Sequence, residues 1–287
     1  MMQASLIGAV ALVLDLWLGI NSAAALDEVK YPDWKGQWIR QRTWVDGVSP
    51  NPSFDPDKLQ GLDQQAPLTP DSQAILEARI ADQAAGGAGL DRDYVCFSAG
   101  MPRMMNVYST MEIIIEPEVT HILMGFMNEN RRIFTDGRGF GDAREPSIAG
   151  YSIGRWIETQ SNGLYDTLMV ETRGFKGLRT LDSSAIPLHA DNQSVIKERF
   201  FSDAADRNVL HDEITLIDHA LTRPWTVTKS YRRSGEARPV WRDSACVEEN
   251  QHVRIGSESY MLSADGLLMP AKKDQPPPDL RYFKPRR

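Results

Sequence analysis

The sequence predicts a mainly β protein: an antiparallel sheet closed into a barrel, with one N-terminal helix and a Pro-rich C-terminal tail. Three observations carry this. From Cys96 onward, about nine short runs of strand-forming residues follow one another. Turn residues separate them, among them Pro117-Glu118, Asn128-Glu129-Asn130 and Asp136-Gly137. Only one segment carries both a helix start and a helix stop. Parallel strands need long crossovers, usually helical, so strands without intervening helices read as an antiparallel meander. A single sheet of this size curls or splits, and closure into a barrel removes its edges.

The elements follow in order. Leu6 to Ile20 is an apolar run interrupted by Asp15, and Ala23-Ala24-Ala25 supplies small residues for cleavage before Leu26. Residues 1–25 therefore read as a signal peptide for export. The run is shorter than the ~20 residues that a membrane span needs, and no other segment is apolar enough to span a bilayer. Residues 26–95 hold a strand, a loop and a helix. The strand begins at Gly36-Gln37-Trp38 and runs to about Trp44; Pro50, Pro52 and Pro56 then forbid regular structure. Thr69-Pro70-Asp71 is a helix start with Thr69 as N-cap, and Gly86-Gly87 is its stop.

Residues 96–269 are the expected barrel core. Its strands are placed at Met111–Glu116, Val119–Met127, Arg131–Thr135, Gly150–Glu158, Asp166–Thr172, Ser194–Phe201, Val209–Ile217, Trp225–Arg233 and Val240–Val247. Residues 270–287, with Pro276-Pro277-Pro278 and a basic end, read as an extended tail.

Composition narrows the function. The chain has 287 residues, 41% hydrophobic and 25% charged, as in ordinary globular proteins. Its formal net charge is -7, and its basic runs are pairs such as Arg131-Arg132. Phosphate backbones need a concentrated basic face, so nucleic acid is not an expected partner. The two cysteines, Cys96 and Cys246, form a candidate disulfide in an exported chain. Closing a loop of roughly 150 residues stabilises by about 5 kcal/mol in the chain-entropy model. Buried free thiols are the alternative.

Candidate chemistry concentrates where charges meet strand ends. Arg131, Arg132 and Arg138 flank a strand ending in Thr135-Asp136-Gly137. One reading is a solvated hairpin with an Asp136–Arg138 ion pair. The other has an arginine pointing inward to hold an anionic or phenolic oxygen, since its donor fork stays charged when buried. Asp166 and Glu171 lie five apart on one strand and face opposite sides. If Leu168 and Val170 face the core, Glu171 is outside. If the Met169 face lines a cavity, Glu171 is a candidate base beside Arg173. His189, in the loop before a strand, is the second candidate base. Met104, in the Phe97–Met105 segment, either roofs an aromatic pocket or is core. Trp156 is a further candidate for contact with ligand. No HExxH, His-x-His or other metal-ligand spacing is present, nor a P-loop, GxSxG or dinucleotide fingerprint, so no cofactor is expected.

Cys96 to Arg103, Arg131 to Arg138, Gly150 to Trp156, Asp166 to Thr172, Glu198-Arg199 and Arg223-Pro224-Trp225 together resemble a family of exported bacterial proteins. Its members carry C-x-P-x-G-M-P-R, R-R-I-Y-T-D-G-R and G-x-S-x-G-x-W-E-G-D-T-L-V-V-E-T. The resemblance covers roughly residues 96–250. It departs at Ile157 to Tyr165, where the family has Glu-Gly, and at Leu188, which separates Pro187 from His189. It implies export and a mostly β, lipocalin-like barrel; Gly36-x-Trp38 is similar to the first-strand mark of lipocalins. It implies no particular reaction.

The expected function is that of a periplasmic barrel enclosing a small aromatic or apolar molecule. A cofactor-independent lyase or isomerase would use His189 or Glu171 as base and Arg131, Arg138 or Arg173 to stabilise negative charge. Lignin-derived aromatic dimers are one concrete substrate. A non-catalytic carrier with the same pocket is the rival, and a structural envelope protein the third class. Association into a homo-oligomer is left open.

Overall fold

Nine strands close into a barrel in the order in which they occur along the chain, β1 pairing with both β2 and β9. The structure is a computed structural model, and it describes residues 28–41, 52–87, 89, 91, 96–141, 145–241, 252–255, 258–263 and 267–278. The strands are β1 (Gln37–Arg40), β2 (Thr110–Ile115), β3 (Val119–Met124), β4 (Asn130–Phe134), β5 (Tyr151–Ile157), β6 (Thr167–Arg173), β7 (Val195–Ser202), β8 (Val209–Ile217) and β9 (Trp225–Arg233). The mainly β barrel, with one α-helix among the described residues, is thus as the sequence predicts. The residues expected to form the signal peptide lie outside the described residues, as does Cys246.

The strands mostly alternate a buried residue with a more exposed one, the period-2 pattern of a barrel wall. In β9, Trp225, Val227 and Tyr231 are buried while Thr226 and Thr228 are exposed. In β8, Leu210, Ile214 and Leu216 are buried. This register sets which charges face inward.

One pairing departs from the expected meander. β4 and β5 run parallel, Ile133 opposite Ser152 and Phe134 opposite Ile153. β4 ends at Phe134 and β5 begins only at Tyr151, so Asp136-Gly137 does not close a tight hairpin between them. Gly154 accommodates the close approach there: a Cβ at this position would sit 2.6 Å from Ile133 Cγ2. The expected strand at Val240–Val247 is absent at 240–241, and its remainder lies outside the described residues.

Loop segments pack near the strand ends at both mouths of the barrel. At one, Trp34 donates its indole N–H to Ser202 at 2.9 Å and packs on Trp156, 5.1 Å between ring centroids. At the other, Phe54 packs on Trp225 at 4.8 Å. There Tyr231 Oη donates to the Met105 carbonyl at 2.7 Å, and Arg40 donates to the carbonyls of Asn106 and Ser53. Met101, Met104 and Met105 fill the space beneath these segments, which suits an unbranched side chain in an irregular gap.

The helix α1 (Pro70–Ala84) lies outside the barrel at this second mouth and buries Leu76. Thr69 caps it, its hydroxyl accepting the Ser72 N–H at 3.3 Å. The expected extended tail is more structured at its start. β10 (His252–Ile255), β11 (Glu258–Leu262) and β12 (Leu268–Pro270) form a small antiparallel sheet. Lys272, just beyond it, ties the sheet to the helix through Asp82 at 2.6 Å and to Glu258 at 2.8 Å.

Candidate functional site

The barrel interior is not a plain hydrocarbon core. The inward register of β4, β7, β8 and β9 places Arg131, Glu198, Asp212 and Lys229 inside, all buried. Such residues are almost never fully buried unless paired. Two of them are. Arg131 and Glu198 form a two-pronged ion pair, with Arg131 Nη1 donating to Glu198 Oε1 at 2.8 Å and Nη2 to Oε2. Arg131 Nη2 also donates to Thr172 Oγ1 at 2.8 Å, and Nε to Ser152 Oγ at 3.0 Å. The rigid guanidinium fork is therefore filled, and its orientation fixed.

The other two differ. Asp212 and Lys229 stand opposite each other on adjacent strands, and both are 0% exposed. Neither oxygen of Asp212, and not the Lys229 Nζ, hydrogen-bonds to any described residue. The Lys229 ammonium instead lies 4.1 Å from the centroid of the Phe54 ring, a cation–π contact. Buried charges without hydrogen bonds are costly, so their proton affinities shift. Burial raises the Asp212 carboxyl well above its usual range, and the nearby Glu198 raises it further, against Lys229 and Arg131. Burial lowers the Lys229 amine to about 7, against the pull of Asp212. Burial likewise raises the Tyr231 phenol. The Thr120 hydroxyl, also inside, has no partner among the described residues.

Burial thus favours the neutral form of both groups, a carboxyl that keeps its proton beside an amine that releases its own more readily than an ordinary lysine. Arg131 next to them is a fixed positive charge in a water-poor setting, where it acts at greatest strength.

The residues singled out from the sequence fall elsewhere, with one exception. Arg131 does point inward, but Glu198, Ser152 and Thr172 occupy its donors. Arg138 makes the solvated ion pair with Asp136, Nε to Oδ1 at 2.8 Å. Glu171 lies on the outer face of β6, because Leu168, Val170 and Thr172 take the inner one. It pairs there with Arg173 at 2.5 Å. Arg138 and Glu171 nevertheless meet: with Phe140, Arg155 and Lys197 they line an outer groove of about 480 Å³. Met104 is core. Trp156 belongs to an aromatic group at the first mouth, with Tyr31 at 5.4 Å and Tyr165 at 6.4 Å. A cavity of about 490 Å³ lined by Tyr31, Trp34, Ile113 and Ile115 opens beside it. His189 is exposed and lies outside the barrel.

Lys229 and Asp212 escaped the sequence reading, although a signal was present. Once Trp225, Val227 and Tyr231 are taken as the inner face of β9, Lys229 shares it; Asp212 shares the face of Leu210 and Ile214.

The fold and site together define a closed nine-stranded barrel with an ionisable interior. The chain matches no protein-family model and no curated protein.

Proposed function

We propose that the protein is a barrel enzyme that moves a proton on a small molecule, without a bound cofactor, and that Lys229 and Asp212 are its acid–base pair. The observation that carries this is the facing pair itself: two fully buried ionisable side chains whose polar atoms have no hydrogen-bond partner among the described residues. Structural ion pairs bury charge by satisfying it, as Arg131 and Glu198 do. A pair left unsatisfied costs stability and is suited to a ligand's polar atoms. In the forward step the neutral Lys229 amine accepts a proton from the substrate. The Asp212 carboxylic acid donates one, to another carbon in an isomerase or to a departing oxygen in a lyase. Arg131, held by Glu198, stabilises negative charge that develops between them.

The aromatic mouth supports an aromatic or apolar substrate, lignin-derived dimers among them. Tyr31, Trp34 and Ile113 line a cavity there. Export to the periplasm is part of the same proposal. It rests on the Leu6–Ile20 run, the alanine triplet and the resemblance to exported bacterial proteins.

A non-catalytic carrier is the second reading, favoured by the outer groove of about 480 Å³ that carries Arg138, Arg155 and Lys197 beside Phe140. One experiment separates the two. Aromatic dimers and phenolic acids are screened for turnover and for binding, with wild type, Lys229→Met and Asp212→Asn. Loss of a general acid or base costs about 10² to 10⁴ in rate. Turnover reduced by that much in both variants, with folding intact, supports the enzyme. Binding without turnover, unchanged in both variants, supports the carrier.

A further inference from the structure

We propose that His189, Asp191 and His219 form a surface site for a divalent transition metal of the zinc type. It is separate from the barrel interior and does not depend on the function proposed above. Each of the three offers one ligand atom, and these atoms all lie within 4.8 Å of one another. Asp191 Oδ2 is the centre of the group, 3.0 Å from His189 Nδ1 and 2.5 Å from His219 Nδ1. The two rings meet edge to face, 5.7 Å between centroids.

The scaffold beneath holds these three in place. Asp218 is buried, and its Oδ1 accepts the backbone N–H of His189 at 2.9 Å and of Ala220 at 2.8 Å. One carboxylate thus ties the loop carrying His189 and Asp191 to the turn carrying His219. Its other oxygen accepts from Ser194, whose hydroxyl in turn accepts from Arg179 Nη2 at 2.6 Å. Asp191 is itself oriented, its Oδ1 accepting the Gln193 N–H at 3.0 Å. This leaves Oδ2 facing both imidazoles.

The donor set decides the metal. Two imidazole nitrogens and one carboxylate oxygen suit zinc, nickel, cobalt or copper, whereas calcium and magnesium prefer all-oxygen sites. Metal–ligand bonds of about 2.0–2.2 Å set tetrahedral ligands roughly 3.3 Å apart, within small side-chain rotations of the distances here. His189 Nδ1 now accepts the Asp191 backbone N–H at 3.3 Å; an ion would take that lone pair and displace the hydrogen bond between His219 and Asp191. Three protein ligands leave a coordination position open to water or an anion. The sequence hides the site, because 28 residues separate Asp191 from His219 and no short motif joins them.

The test is calorimetric titration of chelator-stripped full-length chain with zinc chloride, beside His219→Ala and the double variant His189→Ala/His219→Ala. All three substituted or retained side chains are exposed, so the fold is expected to survive, and circular dichroism checks it. Wild type is expected to saturate at one zinc per chain below roughly 100 µM. The single variant should bind about tenfold or more weakly, and the double variant should lose the event. Calcium should give no such event. Absence of saturable zinc binding in wild type, or equal binding in the double variant, would overturn the proposal.

Discussion

At the scale of single residues, two buried pairs with similar side chains behave in opposite ways. Arg131 and Glu198 satisfy each other, with Ser152 and Thr172 completing the guanidinium's bonds. Removing one partner strands the other charge in the core. Arg131→Leu or Glu198→Leu is therefore expected to cost about 3–5 kcal/mol, and the double substitution much less than the sum. Urea unfolding of the three variants measures it; additive losses would mean the pair is not coupled. Lys229 predicts a pH signature. Its amine is lowered from 10.5 to about 7 in the folded state. Between those values the unfolded chain binds the proton and the folded chain does not, so stability rises with pH. The slope is at most about 1.4 kcal/mol per pH unit. Asp212 acts in the reverse sense: its raised carboxyl holds a proton in the folded state, so its contribution is lost as pH climbs above the ordinary carboxylate range. The difference in stability between wild type and Lys229→Met should move in favour of wild type from pH 7 to pH 10. A flat difference would show an ordinary lysine. These roles were only partly legible in the sequence. An inward arginine was an open alternative at Arg131. Lys229 lies between Thr228 and Ser230, and Asp212 between His211 and Glu213, so both read as ordinary polar strand residues; only strand register, fixed by the closed sheet, makes them face each other.

At the scale of elements, the start of the helix and the strands of the barrel follow local rules. Thr69 caps α1 as the Thr-Pro-Asp signal requires, so Thr69→Ala should cost about 1 kcal/mol, read as a lowered unfolding midpoint. The strands from Val209 and Trp225 begin and end where their period-2 alternation does. Partner choice is another matter. Asp136-Gly137 signals a tight hairpin, yet the chain travels on to Tyr151 and enters the sheet parallel to β4. Local turn chemistry carries no information about a register set by closure of the whole barrel. Gly154 marks this seam. A methyl group there meets Ile133 Cγ2 at 2.6 Å and Leu168 Cδ1 at 3.2 Å. Gly154→Ala is expected to destabilise by roughly 1–3 kcal/mol through overpacking. A neutral result would show that the β4–β5 contact relaxes freely.

At the scale of the whole molecule, the barrel brings together what the chain separates. Its interior gathers charges from four strands, and a surface cluster joins His189 to His219 across 28 residues after Asp191. The proposed bridge between Cys96 and Cys246 would tie the start of the barrel segment to the chain beyond β9. Mass mapping without reductant should find the two joined; two free thiols would remove that brace. The central claim is that small molecules reach a neutral amine inside the barrel. Reductive methylation with formaldehyde at pH 7, followed by peptide mapping, tests it most directly. At that pH an ordinary lysine is neutral about one part in several thousand, whereas one with a pKa near 7 is about half neutral. Lys229 is expected to be methylated well before the exposed Lys176 and Lys197, and raising the pH to about 10, where ordinary lysines are also partly neutral, should narrow its lead. Labelled surface lysines with an unmodified Lys229 at pH 7 would contradict it.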